Sequence, residues 1–411
     1  MSSDRLFSPG CPRPLSSTRL HRSWSAHRGR PPGQNNIHLS SSTLGILSFY
    51  TMSVSCKEMR PPLTQEILSH LGLASKVGET AAWGTLGTLR NFLSFSVDKD
   101  VQRLLKAITG HVLRIKPSAP HVLGVDCGAI VDVLTNRSRE QRQLISRAFQ
   151  ERTQQDLLKS LQAALSGNLE RIVVALLQPA SQFDAQELRT ALKASGSAED
   201  VTMEILATRT PPQLQECLAV YRHNFQVEAE EDIKSKTSGI LRDLLLALAK
   251  GGRESYTGII DYNLAAQDVQ ALQQDEGCST EGPWVLIFTQ RNPEHLIRVF
   301  DQYQRCTGQE LEEAVRNRFH GDVQAALLSL VAVIRNTPLY FADKLHRALQ
   351  ETEPNHQVLM RILISRSETD LLSIRAEFKK KFGKSLYSSL QDAVIGDCRS
   401  ALLALCRAED I

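Results

Sequence analysis

Apolar residues recur at every third or fourth position from about residue 95 to the carboxyl end of the chain. This spacing places apolar side chains on one face of a helix. It is clearest in residues 98–108, 184–192 and 340–349, whereas the strict alternation that indicates a half-buried strand is almost absent. The pattern predicts an all-α fold.

The helical pattern occurs in four copies, each marked by the same three residue types. An arginine is followed by an aromatic residue 12 positions later and by a glycine 30 positions later. The arginines are Arg137, Arg209, Arg291 and Arg366; the aromatics are Phe149, Tyr221, Tyr303 and Phe378; the glycines are Gly167, Gly239, Gly321 and Gly396. Each copy spans roughly 70 residues, with room for about five short helices. Because no such unit can bury its apolar faces alone, the copies must pack against one another.

The copies and the segments between them predict seven parts of the chain. These are a basic tail at residues 1–51, an amino-terminal region at 52–94, a first repeat at 95–178, a second at 179–250, a connector at 251–262, a third repeat at 263–335 and a fourth at 336–408. The connector contains Gly and Ser residues, and we expect a hinge there between two halves of the protein.

The charge of the chain is unevenly distributed. Its formal net charge is +3, but residues 1–51 carry six Arg, no Lys and a single acid, Asp4, and the remainder carries 42 basic and 44 acidic residues. The repeats are therefore slightly acidic, and no nucleic-acid partner is expected. The Ser-, Pro- and Arg-rich composition of residues 1–51 predicts a flexible, disordered extension, or else sequence that precedes an alternative start at Met52.

Residues 62–75 show a separate amphipathic pattern. Leu63, Ile67, Leu68 and Leu71 fall on one face of a predicted helix. Such a face can pack on the core of the same protein, or it can dock into a groove of a protein partner. Both interpretations are open from the sequence.

No pattern in the sequence indicates catalysis or zinc binding. The eight cysteines include no C-x-x-C pair, which suits a reduced, intracellular protein, and the 11 histidines include no H-E-x-x-H motif. There is no G-x-S-x-G sequence either. We therefore expect a cytoplasmic protein without enzymatic activity.

The four copies resemble the annexin repeat. The residues that carry the resemblance are TNRSREQRQLISRAFQ at 135–150, TRTPPQLQECLAVY at 208–221, TQRNPEHLIRVFDQY at 289–303 and SRSETDLLSIRAEFKKKFGKSLYSSL at 365–390. The chain resembles the annexin family from about residue 97 to residue 409, and within it a subfamily with degenerate calcium sites. The resemblance implies a curved disc of four five-helix repeats. Loops on its convex face would bind anionic phospholipid membranes peripherally, through calcium.

The resemblance also implies where calcium ligands come from. Backbone carbonyls belong to a glycine turn between the first two helices of a repeat, and a bidentate Asp or Glu lies three residues before the framing glycine. Those four acid positions hold Ala164, Lys236, Arg318 and Ala393 in this chain. Calcium requires six to eight oxygen ligands, some of them charged. We expect no intact metal site, and calcium as at most a weakly bound ligand.

The glycine turns depart from the family pattern as well. In the first copy, about twelve extra residues separate Gly110 from Gly124. The turn of the second copy is residues 193–197, that of the third lies around residues 277–279, and that of the fourth is residues 351–354. Carboxylates that remain near these turns belong to Asp126, Glu199 and Asp392. We expect only weak calcium binding at any of them.

Four basic residues are predicted on or near the membrane-facing surface: Lys193, Lys236, Arg316 and Arg318. Their attraction to anionic lipid needs no calcium, although Glu351 and Glu353 on the same surface oppose it. The sequence thus favours a membrane-surface scaffold that binds lipid such as phosphatidylserine, with self-association into a homo-oligomer adding contacts. The alternative is a protein-binding scaffold, of adhesion or receptor type, that no longer binds lipid.

Overall fold

The computed structural model describes residues 87–89, 95–110, 112–113, 121–122, 124–194, 198–274 and 282–408. Every described residue belongs to one compact unit, Arg60–Ile411. The basic tail and the predicted helix with Leu63, Ile67, Leu68 and Leu71 lie outside the described residues.

The described residues form an all-α fold of 19 helices, with one pair of two-residue strands. The first repeat contains α1 (Val97–Thr109), β1 (Val112–Leu113), β2 (His121–Val122), α2 (Cys127–Thr135), α3 (Arg139–Thr153), α4 (Leu157–Ala164) and α5 (Gly167–Leu177). The second contains α6 (Ala180–Lys193), α7 (Ala198–Thr208), α8 (Pro211–Phe225), α9 (Ala229–Lys236) and α10 (Gly239–Ala249). The third and fourth contain α11 (Tyr262–Gln274), α12 (Gly282–Gln290), α13 (Pro293–Thr307), α14 (Leu311–Arg318), α15 (Gly321–Gln350), α16 (His356–Arg366), α17 (Leu371–Phe382), α18 (Leu386–Ala393) and α19 (Cys398–Cys406). The predicted fold class is confirmed.

Helix α15 is two helices joined at a kink. Asn336 has extended backbone angles (φ −161°, ψ 93°) in the middle of the segment, and Pro338 follows it. The Asn336 side chain accepts a hydrogen bond from the Leu339 N–H at 3.0 Å, which caps the second half. The first half therefore closes the third repeat and the second half opens the fourth, so that each repeat has five helices.

By length and composition, α15 is the one described helix that could span a membrane. Half of its most apolar stretch is nevertheless buried within the protein. Leu327 and Leu330, before the kink, belong to one hydrophobic core, and Phe341 and Leu345, after it, belong to another. The apolar character of α15 therefore reflects its packing in two cores.

The four repeats build two hydrophobic cores. Repeats 1 and 4 share the first core, which includes Leu104, Ile130, Ile145, Ile362 and Leu402. Repeats 2 and 3 share the second, which includes Leu188, Ile205, Leu244, Phe288 and Leu296. The connector at residues 251–262 thus joins two repeats of one core, which does not fit the hinge between halves expected from its Gly and Ser content.

The framing arginines pair with carboxylates. Arg137, Arg209 and Arg291 each donate through Nε and Nη2 to one Asp of the first helix of their repeat, at 2.6–3.0 Å; the partners are Asp100, Asp184 and Asp268. In the fourth repeat that position is occupied by Phe341, and the Arg366 guanidinium lies 4.7 Å from its ring centroid. Arg366 donates instead to Asp370, at 2.6 and 2.7 Å. The arginines therefore tie helices together within each repeat.

Candidate functional site

The four acid positions occupy one structural place. Ala164, Lys236, Arg318 and Ala393 are the last residues of α4, α9, α14 and α18, the fourth helix of each repeat. In each case the next residue donates its N–H to the carbonyl four positions back, which closes the helix end.

The framing glycines preserve the backbone of this loop. They follow three residues after the helix end, at Gly167, Gly239, Gly321 and Gly396, with φ between 58° and 83°. This left-handed region is strained for residues with a Cβ atom, which accounts for glycine at all four places. The loop conformation is therefore kept in every repeat, although none of the four side chains provides a carboxylate.

In the second repeat, a lysine ammonium lies against the neighbouring loop. Lys236 Nζ donates a hydrogen bond to the Ala194 carbonyl oxygen at 2.7 Å. Ala194 directly follows α6, at the start of the turn between the first two helices of this repeat. Both residues are exposed. The Lys236 ammonium thus joins the two loops that, by the family resemblance, would provide calcium ligands.

Lys193, beside Ala194, is held by a carboxylate. Its Nζ lies 2.7 Å from Asp232 Oδ1, and the buried Asp232 carboxylate also receives hydrogen bonds from Arg189 and from the Tyr221 hydroxyl. Burial alone would raise the pKa of Asp232, but the bonds from Lys193 and Tyr221 and the charge of Arg189 outweigh it and lower the pKa. Asp232 is thus a stable anion that already has three partners.

In the third repeat, the cation rests on aromatic rings. The half-buried Arg318 guanidinium carbon lies 5.9 Å from the ring centroid of Trp284 and 5.6 Å from that of Phe319, within the range of cation–π attraction. Arg316, two positions earlier on α14, is exposed. The predicted turn at residues 277–279 lies outside the described residues.

The first and fourth repeats offer alanines at this position and few available carboxylates nearby. Asp126 accepts a hydrogen bond from the Ala129 N–H at 2.9 Å and caps α2, and Asp392 pairs with Lys384 at 2.5 Å. The Glu199 side chain lies outside the described part of the structure. Among the described residues, no three His, Cys, Asp or Glu side chains come together as a potential metal site.

The sequence predicts the positions of the basic candidates along the chain but not their contacts. It identifies the helix ends that carry Lys236, Arg316 and Arg318, but it gives no sign that Ala194 and Trp284 are contacts. Asp232 and Lys236 lie four residues apart on α9, a spacing at which helical ion pairs can form. The structure instead pairs Asp232 with Lys193, because Lys236 extends to the Ala194 carbonyl.

A second polar cluster lies between the two cores. Glu204 of α7 is fully buried and accepts two hydrogen bonds from Arg361 of α16, at 3.0 and 3.1 Å. Lys344 of α15 lies 2.8 Å from both Glu204 and Asp200. A neighbouring cavity of about 520 Å³ is lined by residues of these helices and by residues of α6, including Glu187. The sequence pattern does not identify this cluster, because Glu204 and Arg361 lie 157 positions apart.

Opposite charges determine the ionisation of this cluster. Burial would raise the pKa of Glu204, but Lys344 and Arg361 outweigh it and lower the pKa to about 2. The pKa of Lys344 is raised, because Glu204, Tyr340 and Asp200 outweigh the effect of its burial. Glu187 behaves oppositely, since burial raises its pKa despite the nearby Arg361. Glu204 and Lys344 are therefore fixed charges that hold repeats 2 and 4 together.

Comparisons with known proteins agree with the repeat structure. The family model described as Annexin matches residues 118–176, 183–248, 267–330 and 340–405. Annexin A9 of Homo sapiens is 81% identical over 360 residues, which cover 88% of this chain and all of that protein. Annexin A9 of Mus musculus is 77% identical with the same coverage.

Solved structures show the same fold. A structure of annexin III superposes with a TM-score of 0.74 at 35% identity, covering 79% of this chain and 98% of that one. A structure of chicken annexin V in complex with Zn²⁺ superposes with a TM-score of 0.70 at 37% identity, covering 78% and 98%. The match of the family model, the identity to curated relatives and the four five-helix repeats lead to one conclusion. This chain belongs to the annexin family.

Proposed function

We propose that the protein is a non-enzymatic scaffold that binds anionic phospholipid at membrane surfaces with little or no dependence on calcium. Binding of calcium and phospholipid is general among annexins. The observation that carries the proposal is the contact between the Lys236 ammonium and the Ala194 carbonyl, at 2.7 Å. It puts a positive charge between the two loops that would otherwise surround a calcium ion.

Electrostatics and ligand count both oppose calcium in these loops. A cation near Lys236 is repelled by about 1 kcal/mol per unit of its charge at 4 Å in water, and by more near a protein surface. Repeats 1 and 4 provide Ala164 and Ala393, which have no side-chain oxygen to replace the missing carboxylate. Calcium has a strong need for charged oxygen ligands. Calcium-dependent binding is therefore weakened or lost in the four loops.

Basic residues provide the attraction to lipid. Lys193, Lys236, Arg316 and Arg318 lie at helix ends of repeats 2 and 3. Each cation near an anionic bilayer contributes about 1 kcal/mol, so the binding of one molecule is weak and decreases with salt. A homo-oligomer would engage several such surfaces at once and multiply the affinity. This behaviour fits a cytoplasmic protein in peripheral contact with membranes.

Sedimentation of the full chain with vesicles tests this function. We expect co-sedimentation with phosphatidylserine vesicles in the presence of a chelator, and a marked loss of binding when the salt concentration is raised from 50 to 300 mM. Phosphatidylcholine vesicles are the matched control and should bind little. Equal binding to both vesicles, or none to either, would contradict the proposal.

A protein-binding scaffold is the second candidate. The contacts of Lys193 with Asp232 and of Arg318 with Trp284 favour it, because they use basic groups inside the protein. In that case the protein should stay in the supernatant with vesicles of either composition. A protein partner would then bind the repeats or the amphipathic segment at residues 62–75.

A further inference from the structure

Of the four residues at the acid positions, Lys236 is the one with an exposed charge. Ala164 and Ala393 carry no charge, and the Arg318 guanidinium is half-buried over the Trp284 ring. Lys236 is exposed, and the one acceptor of its ammonium among the described residues is the Ala194 carbonyl. The second repeat therefore differs from the other three.

Among the described residues, no carboxylate accepts a hydrogen bond from Lys236. Asp232 lies one helical turn away on α9, but its oxygens are used by Lys193, Arg189 and the Tyr221 hydroxyl. A carboxylate has about four lone-pair positions, and the buried Asp232 already accepts hydrogen bonds from three side chains. Within the described part of the chain, the partner of Lys236 is instead an uncharged carbonyl, so no described carboxylate neutralises its charge directly.

An ammonium group has three N–H donors. The bond to Ala194 uses one of them and fixes the position of the group at the exposed end of the repeat. Two donors remain for an external acceptor. A phosphate oxygen, which is charged and exposed, forms short and strong bonds with such donors.

We propose that Lys236 takes the place of a metal ion in the second repeat: a loop carbonyl holds its ammonium, which donates directly to the phosphate group of an anionic phospholipid. This inference rests on the lipid binding proposed above and names the group that makes the contact. The bond to Ala194 reduces the flexibility of the side chain before lipid arrives, which lowers the entropy cost of binding. No calcium takes part in the contact.

Substitution of Lys236 in the full chain tests the inference. The probe is a vesicle of phosphatidylserine and phosphatidylcholine, titrated in chelator at low salt. Lys236→Gln should weaken binding roughly fivefold, which corresponds to about 1 kcal/mol. Lys236→Arg, which keeps the charge and the donors, should retain most of the affinity.

Lys234→Gln is the matched control, because Lys234 is an exposed lysine on the same helix, α9. It removes the same charge, so a merely electrostatic surface would make the two Gln variants equally weak. That equality would overturn the role of Lys236 while leaving lipid binding intact. Failure of the unmodified chain to bind these vesicles would instead refute the proposed function.

Competition with soluble phosphate distinguishes a site for the phosphate of a lipid headgroup from a site for free phosphate. At constant ionic strength, millimolar inorganic phosphate should displace little protein from the vesicles, because the bilayer presents many headgroups at once. Displacement by phosphate that is lost in Lys236→Gln would show a site for free phosphate and would contradict the assignment to lipid. Thermal unfolding of each variant identifies any loss that comes from misfolding.

Discussion

Glu204 and Arg361 form a fully buried, two-bond ion pair between repeats 2 and 4, with distances of 3.0 and 3.1 Å. The two residues belong to helices of different hydrophobic cores, α7 and α16. Lys344, at 2.8 Å from Glu204, adds a second cation. This pair therefore couples the two cores by electrostatics.

Glu204→Gln should destabilise the protein strongly. The change leaves Lys344 and Arg361 buried with less compensating charge, and breaking a buried pair in this way costs about 3–5 kcal/mol. Chemical denaturation measures the loss in free energy of unfolding. Asp392→Asn, which breaks the exposed pair with Lys384, is the control and should cost less than about 1 kcal/mol. Similar losses in the two variants would contradict this view of Glu204.

Acid should weaken the same contact. The pKa of Glu204 is about 2 in the folded protein and 4.5 in an unperturbed glutamate, so the folded state holds fewer protons in this range. Its contribution is therefore complete above pH 4.5 and is lost as the pH falls toward 2. The difference is worth about 3 kcal/mol.

Urea unfolding at several pH values between 6 and 3 measures this dependence. The unmodified chain should lose stability more steeply than Glu204→Gln, in which the titrating group is absent. Parallel curves for the two proteins would show that other carboxylates account for the acid sensitivity.

The framing ion pairs are expected to stabilise single repeats. Asp184→Asn leaves the buried Arg209 guanidinium without its carboxylate, at a position where it now makes two bonds of 2.7 Å. We expect a loss of about 3–5 kcal/mol in the free energy of unfolding. Asp98→Asn removes the partner of the exposed Arg152 and serves as control, with a loss below about 1 kcal/mol. A small effect at Asp184 would mean that the second repeat does not depend on this pair.

A carboxylate at position 236 should restore some calcium binding. Lys236→Asp removes the repulsion and adds a charged ligand beside the Ala194 carbonyl. Calorimetry should detect binding in the range of roughly 0.1–1 mM, because Ala194 replaces the first of the two glycines in the family's turn. Lys234→Asp, which places the same charge on another part of α9, should not bind calcium. If neither variant shows a heat of calcium binding, the charge of Lys236 is not the cause of the lost calcium binding.

Much of the fold follows from the sequence because its signals are local. The spacing from Arg209 to Tyr221 and Gly239 fixes the relative places of three helices, and the structure has a helix end, a buried ring and a left-handed glycine at these points. The sequence pattern divides the third and fourth repeats at residues 335 and 336, where the kink lies, but it does not indicate how the kink at Asn336 is stabilised. Its cause is a side-chain cap that a pattern of apolar residues does not reveal.

The partners of the charged residues could not be predicted in the same way. Arg366 bonds to Asp370 because Phe341 replaces the aspartate found in the other repeats, and the sequence alone does not show that these positions are in contact. Lys236 likewise contacts the Ala194 carbonyl, and because every residue has a backbone carbonyl, the sequence does not indicate this partner. Long side chains select partners by three-dimensional distance, and this distance appears only when the helices are packed.

The most direct test of calcium-independent membrane binding is the ratio of two affinities of the full chain for phosphatidylserine vesicles. One is measured in chelator and the other in 1 mM calcium, at the same ionic strength. The Lys236 contact predicts that the two affinities agree within about twofold, since no metal ion contributes to it. Binding that requires calcium would contradict this account, because a lysine at the acid position could not then have replaced the ion.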